Sequence, residues 1–182
     1  KKFKDDKNVV INLRKSNNGK GANLRDGIKL ANGEIIIFQD ADLEYETKNI
    51  INVLECFEEK KVDVVLGSRF LHYKHKPTFG FLNYHANKIL TLTANLLFNR
   101  TYSDIETGLK GFNANFLKSI SLVSNGFEIE NEITAKISKK KARVIEIPAM
   151  YYPRTYEEGK KVRWWHFFTS LFSLIFWRFK KI

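Results

Sequence analysis

The stretch Gly33-Glu-Ile-Ile-Ile-Phe-Gln-Asp-Ala-Asp-Leu-Glu-Tyr45 limits the folds open to this chain more than any other. An apolar run, Ile35 to Phe38, follows a glycine and ends in Asp40 and Asp42, with Glu44 two residues further on. A short apolar run after Gly reads as a buried strand. In an open α/β sheet, ligands gather where strands end at their carboxyl edge. Carboxylates crowded there are costly to bury unpaired, so a metal ion is their natural partner. Carboxylates plus substrate phosphates are how Mg²⁺ or Mn²⁺ is usually held. Asp40 equally suits the N-cap of a following helix, so Asp-X-Asp alone leaves both readings open.

The flanking segments supply the rest of an α/β pattern. Val9 to Leu13 reads as a short strand, Ser16 to Gly21 as a turn, and Ala22 to Ala31 as a helix closed by Asn32-Gly33. Thr47 to Lys60 reads as an amphipathic helix with Ile50, Ile51, Leu54 and Phe57 on its apolar face. Val62 to Leu66 is a second buried strand, running into Gly67-Ser-Arg-Phe70. Strands alternating with helices over short links predict a mostly parallel sheet flanked by helices. Further on, His72, His75 and Pro77 fall in a loop, and Phe81 to Phe98 reads as a long helix. Thr101 to Phe112 is polar and turn-prone; a helix opens at Phe127, and Ala142 to Met150 is a strand.

At 182 residues the chain has length for one domain with a substantial core. The single cysteine, Cys56, excludes a disulfide framework and a Cys-based zinc site, and fits a reducing, cytoplasmic setting. The formal net charge of +11 favours anionic partners: nucleic acid, an acidic membrane face or phosphorylated substrates. No apolar run approaches the ~20 residues that a spanning helix needs. Trp164 to Phe179 is nonetheless almost all aromatic and aliphatic, with His166, Thr169, Ser170 and Ser173 as a polar stripe. Lys160, Lys161 and Arg163 precede it and Arg178, Lys180 and Lys181 close it. Such a helix suits a peripheral position at a membrane surface; packing on the protein's own core is the competing reading.

Five motifs follow in order: Asn17-Asn-Gly-Lys-Gly-Ala-Asn, Asp40-Ala-Asp-Leu-Glu-Tyr, Val64-Val-Leu-Gly-Ser-Arg-Phe, Asp104-Ile-Glu-Thr-Gly-Leu-Lys-Gly-Phe and Tyr156-Glu-Glu-Gly-Lys-Lys. Together they resemble the family 2 glycosyltransferases, and within them the dolichyl-phosphate mannose synthase and polyprenyl-phosphate sugar transferase branch. The resemblance implies an α/β GT-A fold, a nucleotide-diphosphate sugar donor and an inverting, metal-dependent transfer. It implies one domain over 1–182, with a donor and metal half at 1–70, an acceptor half at 71–163 and the aromatic helix at 164–182. Asp40 and Asp42 match the family's Asp-X-Asp pair as ligands of Mg²⁺ or Mn²⁺, with Glu44 as a third. Lys20, Arg69, Arg154, Lys160 and Lys161 are placed toward the nucleotide or its phosphates, alongside Asp40. For Lys20 and the two later lysines a solvated loop position is the plain alternative, and for Arg69 a structural ion pair.

Asp104 is the candidate base if the acceptor is a saccharide hydroxyl, and Arg69 the second candidate catalytic residue. A lipid phosphate, already anionic, needs little base. Polyprenyl phosphate is the favoured acceptor, and a cationic, Trp-rich edge suits an enzyme that meets such a lipid at the cytoplasmic membrane face. The pattern departs from the family in two places. The N-terminal strand region is missing, at least one βαβ-sized piece of ~30 residues. The segment Lys76 to Asn87 carries no arginine. A GT-A-like nucleotidyltransferase and a basic nucleic-acid or membrane-binding module compete. Gly67-Ser-Arg with Asp104…Thr107-Gly108 opposes the first; aromatics confined to the C-terminal part oppose nucleic acid as a partner.

Overall fold

The computed structural model describes residues 6–71, 80–154 and 165–181. In chain order the elements are α1 (Lys20–Leu30), β1 (Ile35–Phe38), α2 (Asn49–Glu59), β2 (Val64–Ser68), α3 (Phe81–Phe98), β3 (Lys110–Asn113), α4 (Ala114–Lys118), α5 (Ile129–Lys139), β4 (Val144–Pro148) and α6 (Trp165–Phe179).

The four strands form one sheet in the order β1-β3-β2-β4. β2 pairs with β4 in parallel, whereas β3 runs antiparallel to both β1 and β2, with Lys110 opposite Phe38 on one side and Leu66 on the other. β1, β2 and β4 therefore point the same way, so the expected parallel direction holds for three strands. The expected pairing does not, because β3 is inserted between two of them. The carboxyl ends of β1, β2 and β4 share an edge with the start of β3. Asp40, Arg69 and the 104–109 loop thereby meet at one rim.

Val9–Leu13 is not a strand: Val10 and Leu13 are 72% and 85% exposed. No neighbouring strand pairs with it among the described residues, and an apolar alternation without a partner backbone has nothing to close its hydrogen bonds. Arg14 instead ties this segment to α1 through Asp26, 2.6 Å away.

Helices cover both sheet faces. On one, Phe38, Leu66 and Phe112 pack with residues of α3, α5 and α6, including Leu90, Ile133 and Leu174. On the other, Val65 and Leu109 pack with Val53 of α2, Tyr45 and Tyr151. Burying both faces explains why β2 is apolar except at its last residue and buried throughout. Both halves of the chain thus contribute to one core cluster.

α6 resolves the two readings of the aromatic segment into two faces. Ser170, Ser173, Leu174 and Trp177 are buried, so part of the polar stripe turns inward. Phe168, Phe172 and Phe179 remain exposed on the other side. Lys139 of α5 secures the end of α6, donating to the carbonyls of Trp177, Arg178 and Lys180.

Candidate active site

The rim is built from four loops. After β1 the chain turns through Asp40 and Asp42, and Asp42 Oδ1 accepts from the Glu44 amide at 3.2 Å, an Asx turn that fixes the acidic loop. Gly19, at φ 93°, sits against the Asn125 carbonyl and starts α1 so that Lys20 reaches the rim. Lys20 Nζ lies 2.9 Å from Asp40 Oδ2 and 2.8 Å from Glu130 Oε1. Arg154, beyond β4, brings Nη2 to 2.9 Å from Asp42 Oδ2. Gly108 supports Asp40 from beneath: a Cβ there would overlap Asp40 Oδ2 and lie 3.3 Å from Tyr45 Cε2.

Beneath this layer lies a buried one. Asp104 is wholly inaccessible, and Arg69 holds both its oxygens: Nε donates to Oδ2 and Nη2 to Oδ1, each at 2.7 Å, with the Arg69 amide on Oδ2 at 3.1 Å. Burial pushes the Asp104 carboxyl up, but the Arg69 charge outweighs it and holds Asp104 below the usual carboxylate range. In this arrangement Asp104 is inaccessible and both its oxygens are engaged by Arg69, which favours its ionised form. It positions Arg69, whose guanidinium carbon lies 5.4 Å from the Tyr151 ring centre. The structural ion pair weighed for Arg69 is present.

Glu44 is similarly committed. Its Oε2 accepts from the Tyr151 hydroxyl and its Oε1 from the Arg154 amide, both at 2.9 Å, so it braces the Tyr45–Tyr151 bridge. A third-ligand role would use the remaining lone pairs of these engaged oxygens. Lys160 and Lys161 lie outside the described residues. Lys20, Asp40, Asp42 and Arg154 are thus brought together, while Asp104, Arg69 and Glu44 form the frame around them.

Three residues not singled out by sequence complete the floor. Lys110, 1% exposed, places Nζ 2.5 Å from Glu130 Oε2 and donates to the carbonyls of Ile105 and Thr107. Burial would raise Glu130, but Lys110 and then Lys20 outweigh it and hold it down at about 2. The same two carboxylates, Glu130 and Asp40, keep Lys20 above the ordinary lysine range although burial opposes this. For Glu106 the nearby charges of Lys110 and Arg69 do not make up the difference. Burial first, and then the Glu130 charge, push it up to about 7, and its Oε1 is sealed without a hydrogen-bond partner. A lysine inside a strand position and the acidic opening of α5 were the available signals, but their partners lie 20 residues apart.

The two layers differ in what they cost to open. A partly exposed ion pair such as Arg154–Asp42 contributes about 0–1 kcal/mol, so an incoming ligand can separate it. Lys20 is held from below by Glu130, and it is the more exposed Asp40 that can move away from it. Breaking a buried pair such as Arg69–Asp104 or Lys110–Glu130 costs about 3–5 kcal/mol. The upper layer is exchangeable and the lower one is scaffold.

Among the described residues no three His, Cys, Asp or Glu side chains converge as a ready metal cage. Asp40 and Asp42 still fit a hard divalent cation. Such an ion is commonly held by one or two carboxylates and completed by substrate phosphates and water.

The chain matches the family described as Glycosyl transferase family 2 over residues 1–121. It is 26% identical over 140 residues to glycosyltransferase AglJ of Haloferax volcanii, covering 76% of this chain and 46% of that protein. It is 23% identical over 135 residues to an undecaprenyl-phosphate mannosyltransferase of Micrococcus luteus, covering 70% of this chain and 53% of that one. The chain thus spans about half the length of these relatives. Among solved structures it superposes on glucosyl-3-phosphoglycerate synthase from Mycobacterium tuberculosis, crystallised with Mn²⁺, UDP and phosphoglyceric acid. The TM-score is 0.67 at 11% identity, over 96% of this chain and 57% of that one, which shows the fold. With a GT-A fold and a family match covering well over half its length, the chain belongs to glycosyl transferase family 2.

Proposed function

We propose that the protein is an inverting, metal-dependent glycosyltransferase that moves a sugar from a nucleotide-diphosphate donor to polyprenyl phosphate. The observation that carries this reading is the exchangeable layer: two carboxylates at a strand end, each facing one cation that it can release. Lys20 and Arg154 would turn to the donor diphosphate, where both a guanidinium and an ammonium bind well. Asp42, with Asp40 beside it, would hold Mg²⁺ or Mn²⁺, which would supply charge stabilisation for the departing diphosphate. The acceptor oxygen bonds to the anomeric carbon as the bond from that carbon to the diphosphate oxygen breaks, on opposite faces. Residues 1–70 would serve the donor and 71–163 the acceptor.

The relatives' printed names support this reading: one is an undecaprenyl-phosphate mannosyltransferase, and the M. tuberculosis enzyme was solved with Mn²⁺ and UDP-glucose. No helix among the described residues is long and apolar enough to cross a membrane. In the proposed reading the cationic, aromatic α6 meets the lipid acceptor by peripheral attachment at the cytoplasmic face. A second reading, transfer to a saccharide hydroxyl, is supported by similarity to a low-salt glycan biosynthesis hexosyltransferase of Haloferax volcanii, 25% identical over 123 residues.

The two acceptors separate in one assay. Label from UDP-glucose, UDP-N-acetylglucosamine or GDP-mannose should pass with Mn²⁺ to undecaprenyl phosphate in detergent and enter the butanol phase. Asp42→Asn should abolish that transfer. Label confined to aqueous oligosaccharide would favour the hydroxyl acceptor, and label transfer that ignores Asp42→Asn would overturn the metal-site reading.

A further inference from the structure

α3 and α6 lie side by side, and each leaves one apolar face uncovered. On α3, Leu82 and Leu96 are 80% and 76% exposed, with Ile89 and Leu92 on the same face between them. On α6, Phe172 and Phe179 are 70% and 77% exposed, with Phe168 one turn before Phe172. Spacings of three, four and seven residues keep each row on one helix face. Uncovered apolar patches of this extent mark contact with a protein or a membrane.

Charge decides between these partners. Neither helix contains an aspartate or a glutamate. Lys88 of α3 lies with its ammonium 4.0 Å from the Phe70 ring centre, while Arg178, Lys180 and Lys181 close α6. Among the described residues Glu128 stands across the groove of about 650 Å³ beside α6, and its Oε1 accepts from the Gly126 amide. Two-fold association would press this cationic rim against its own copy, where Glu128 is the one acid lining the groove among the described residues, and like charges across an interface are repulsive. An anionic lipid surface takes both components, apolar side chains at the acyl boundary and cations on the phosphates.

We propose that the paired outward faces of α3 and α6 together seat the protein on an anionic membrane. The assignment rests on the peripheral attachment proposed above and makes α3 half of the docking surface. It also joins that surface to the rim, because Asn87 on the inner side of α3 accepts from Arg69 Nη2 at 3.4 Å.

The test is co-sedimentation with vesicles of phosphatidylcholine and phosphatidylglycerol in equal parts, and of phosphatidylcholine alone. The wild-type chain should prefer the anionic vesicles and release with salt. Leu96→Glu on α3 and Phe172→Glu on α6 should each weaken binding tenfold or more. Ile51→Glu, an exposed position on α2 across the sheet, should bind as wild type. Circular dichroism and Mn²⁺-dependent nucleotide titration of the same samples report folding and the donor site separately. Unchanged binding by Leu96→Glu, or no preference for anionic vesicles, would overturn the proposal. So would a wild-type dimer in sedimentation equilibrium that Leu96→Glu dissociates, which would assign the face to a second copy.

Discussion

Gly108→Ala tests whether the position of Asp40, rather than its mere presence, makes the donor site. The added Cβ would overlap Asp40 Oδ2 and stand 3.0 Å from Asp40 Cγ, where ordinary contact begins at 3.4 Å. Gly108 is not among the positive-φ residues, so alanine carries no backbone strain there. Tyr45 Cε2, 3.3 Å from the new methyl, blocks one direction of relief, so Asp40 must yield. Its carboxyl is 37% exposed and can move outward, which keeps the stability cost toward the low end of the ~1–3 kcal/mol typical of overpacking. A shift of roughly 1 Å at a group that positions substrate costs up to ~100-fold. We therefore expect Gly108→Ala to melt close to wild type but to bind nucleoside diphosphate with Mn²⁺ 10- to 100-fold more weakly, the range implied by that displacement. Calorimetric titration paired with urea unfolding reads both quantities. Wild-type affinity in a folded Gly108→Ala protein would refute the reasoning.

Lys110→Met strips a buried carboxylate of its main counter-charge while Lys20 remains. It should destabilise the fold by about 3 kcal/mol or more in urea, and a loss below ~1 kcal/mol would contradict the scaffold role. Glu130 and Glu106 predict opposite pH limbs. Glu130, held at about 2 against an ordinary 4.5, lends stability that is complete above pH 4.5 and fades as pH falls toward 2. Glu106, raised from 4.5 to about 7, keeps a proton in the folded state that the unfolded chain has released, so stability declines as pH rises across that window. Urea midpoints against pH should show the decline in wild type, and Glu106→Gln should flatten it while leaving the acid limb; an identical profile would sink the assignment.

Much of the architecture was legible because burial writes itself into local pattern. Ile35–Phe38 and the span of α3 were read residue for residue, since an apolar run bounded by Gly and a long apolar-periodic segment each have one good interpretation. β3 was illegible for the opposite reason. Lys110 and Asn113 look like loop residues, and Glu130, brought from α5, together with the Ile105 and Thr107 carbonyls makes a lysine tolerable between two strands. Val9–Leu13 had the right local signal, but strands are completed by partners and none of the described residues supplies one. At the site, the residue types and spacing around Asp40 and Asp42 announced an acidic rim. The sealing of Asp104 by Arg69 depends on an encounter across 35 residues, which spacing cannot show. For α6, composition showed an amphipathic helix, and only packing on α3 and α5 revealed which side faces outward.

The central claim is that Asp42 holds a divalent ion against a donor diphosphate, displacing Arg154 to do so. Titration of UDP and GDP, each with and without Mn²⁺, against wild type and Asp42→Asn tests it most directly. The account predicts binding of at least one nucleotide by wild type that requires Mn²⁺ and is lost in Asp42→Asn, with the fold unchanged by circular dichroism. Equal, metal-dependent binding by the two proteins would contradict it.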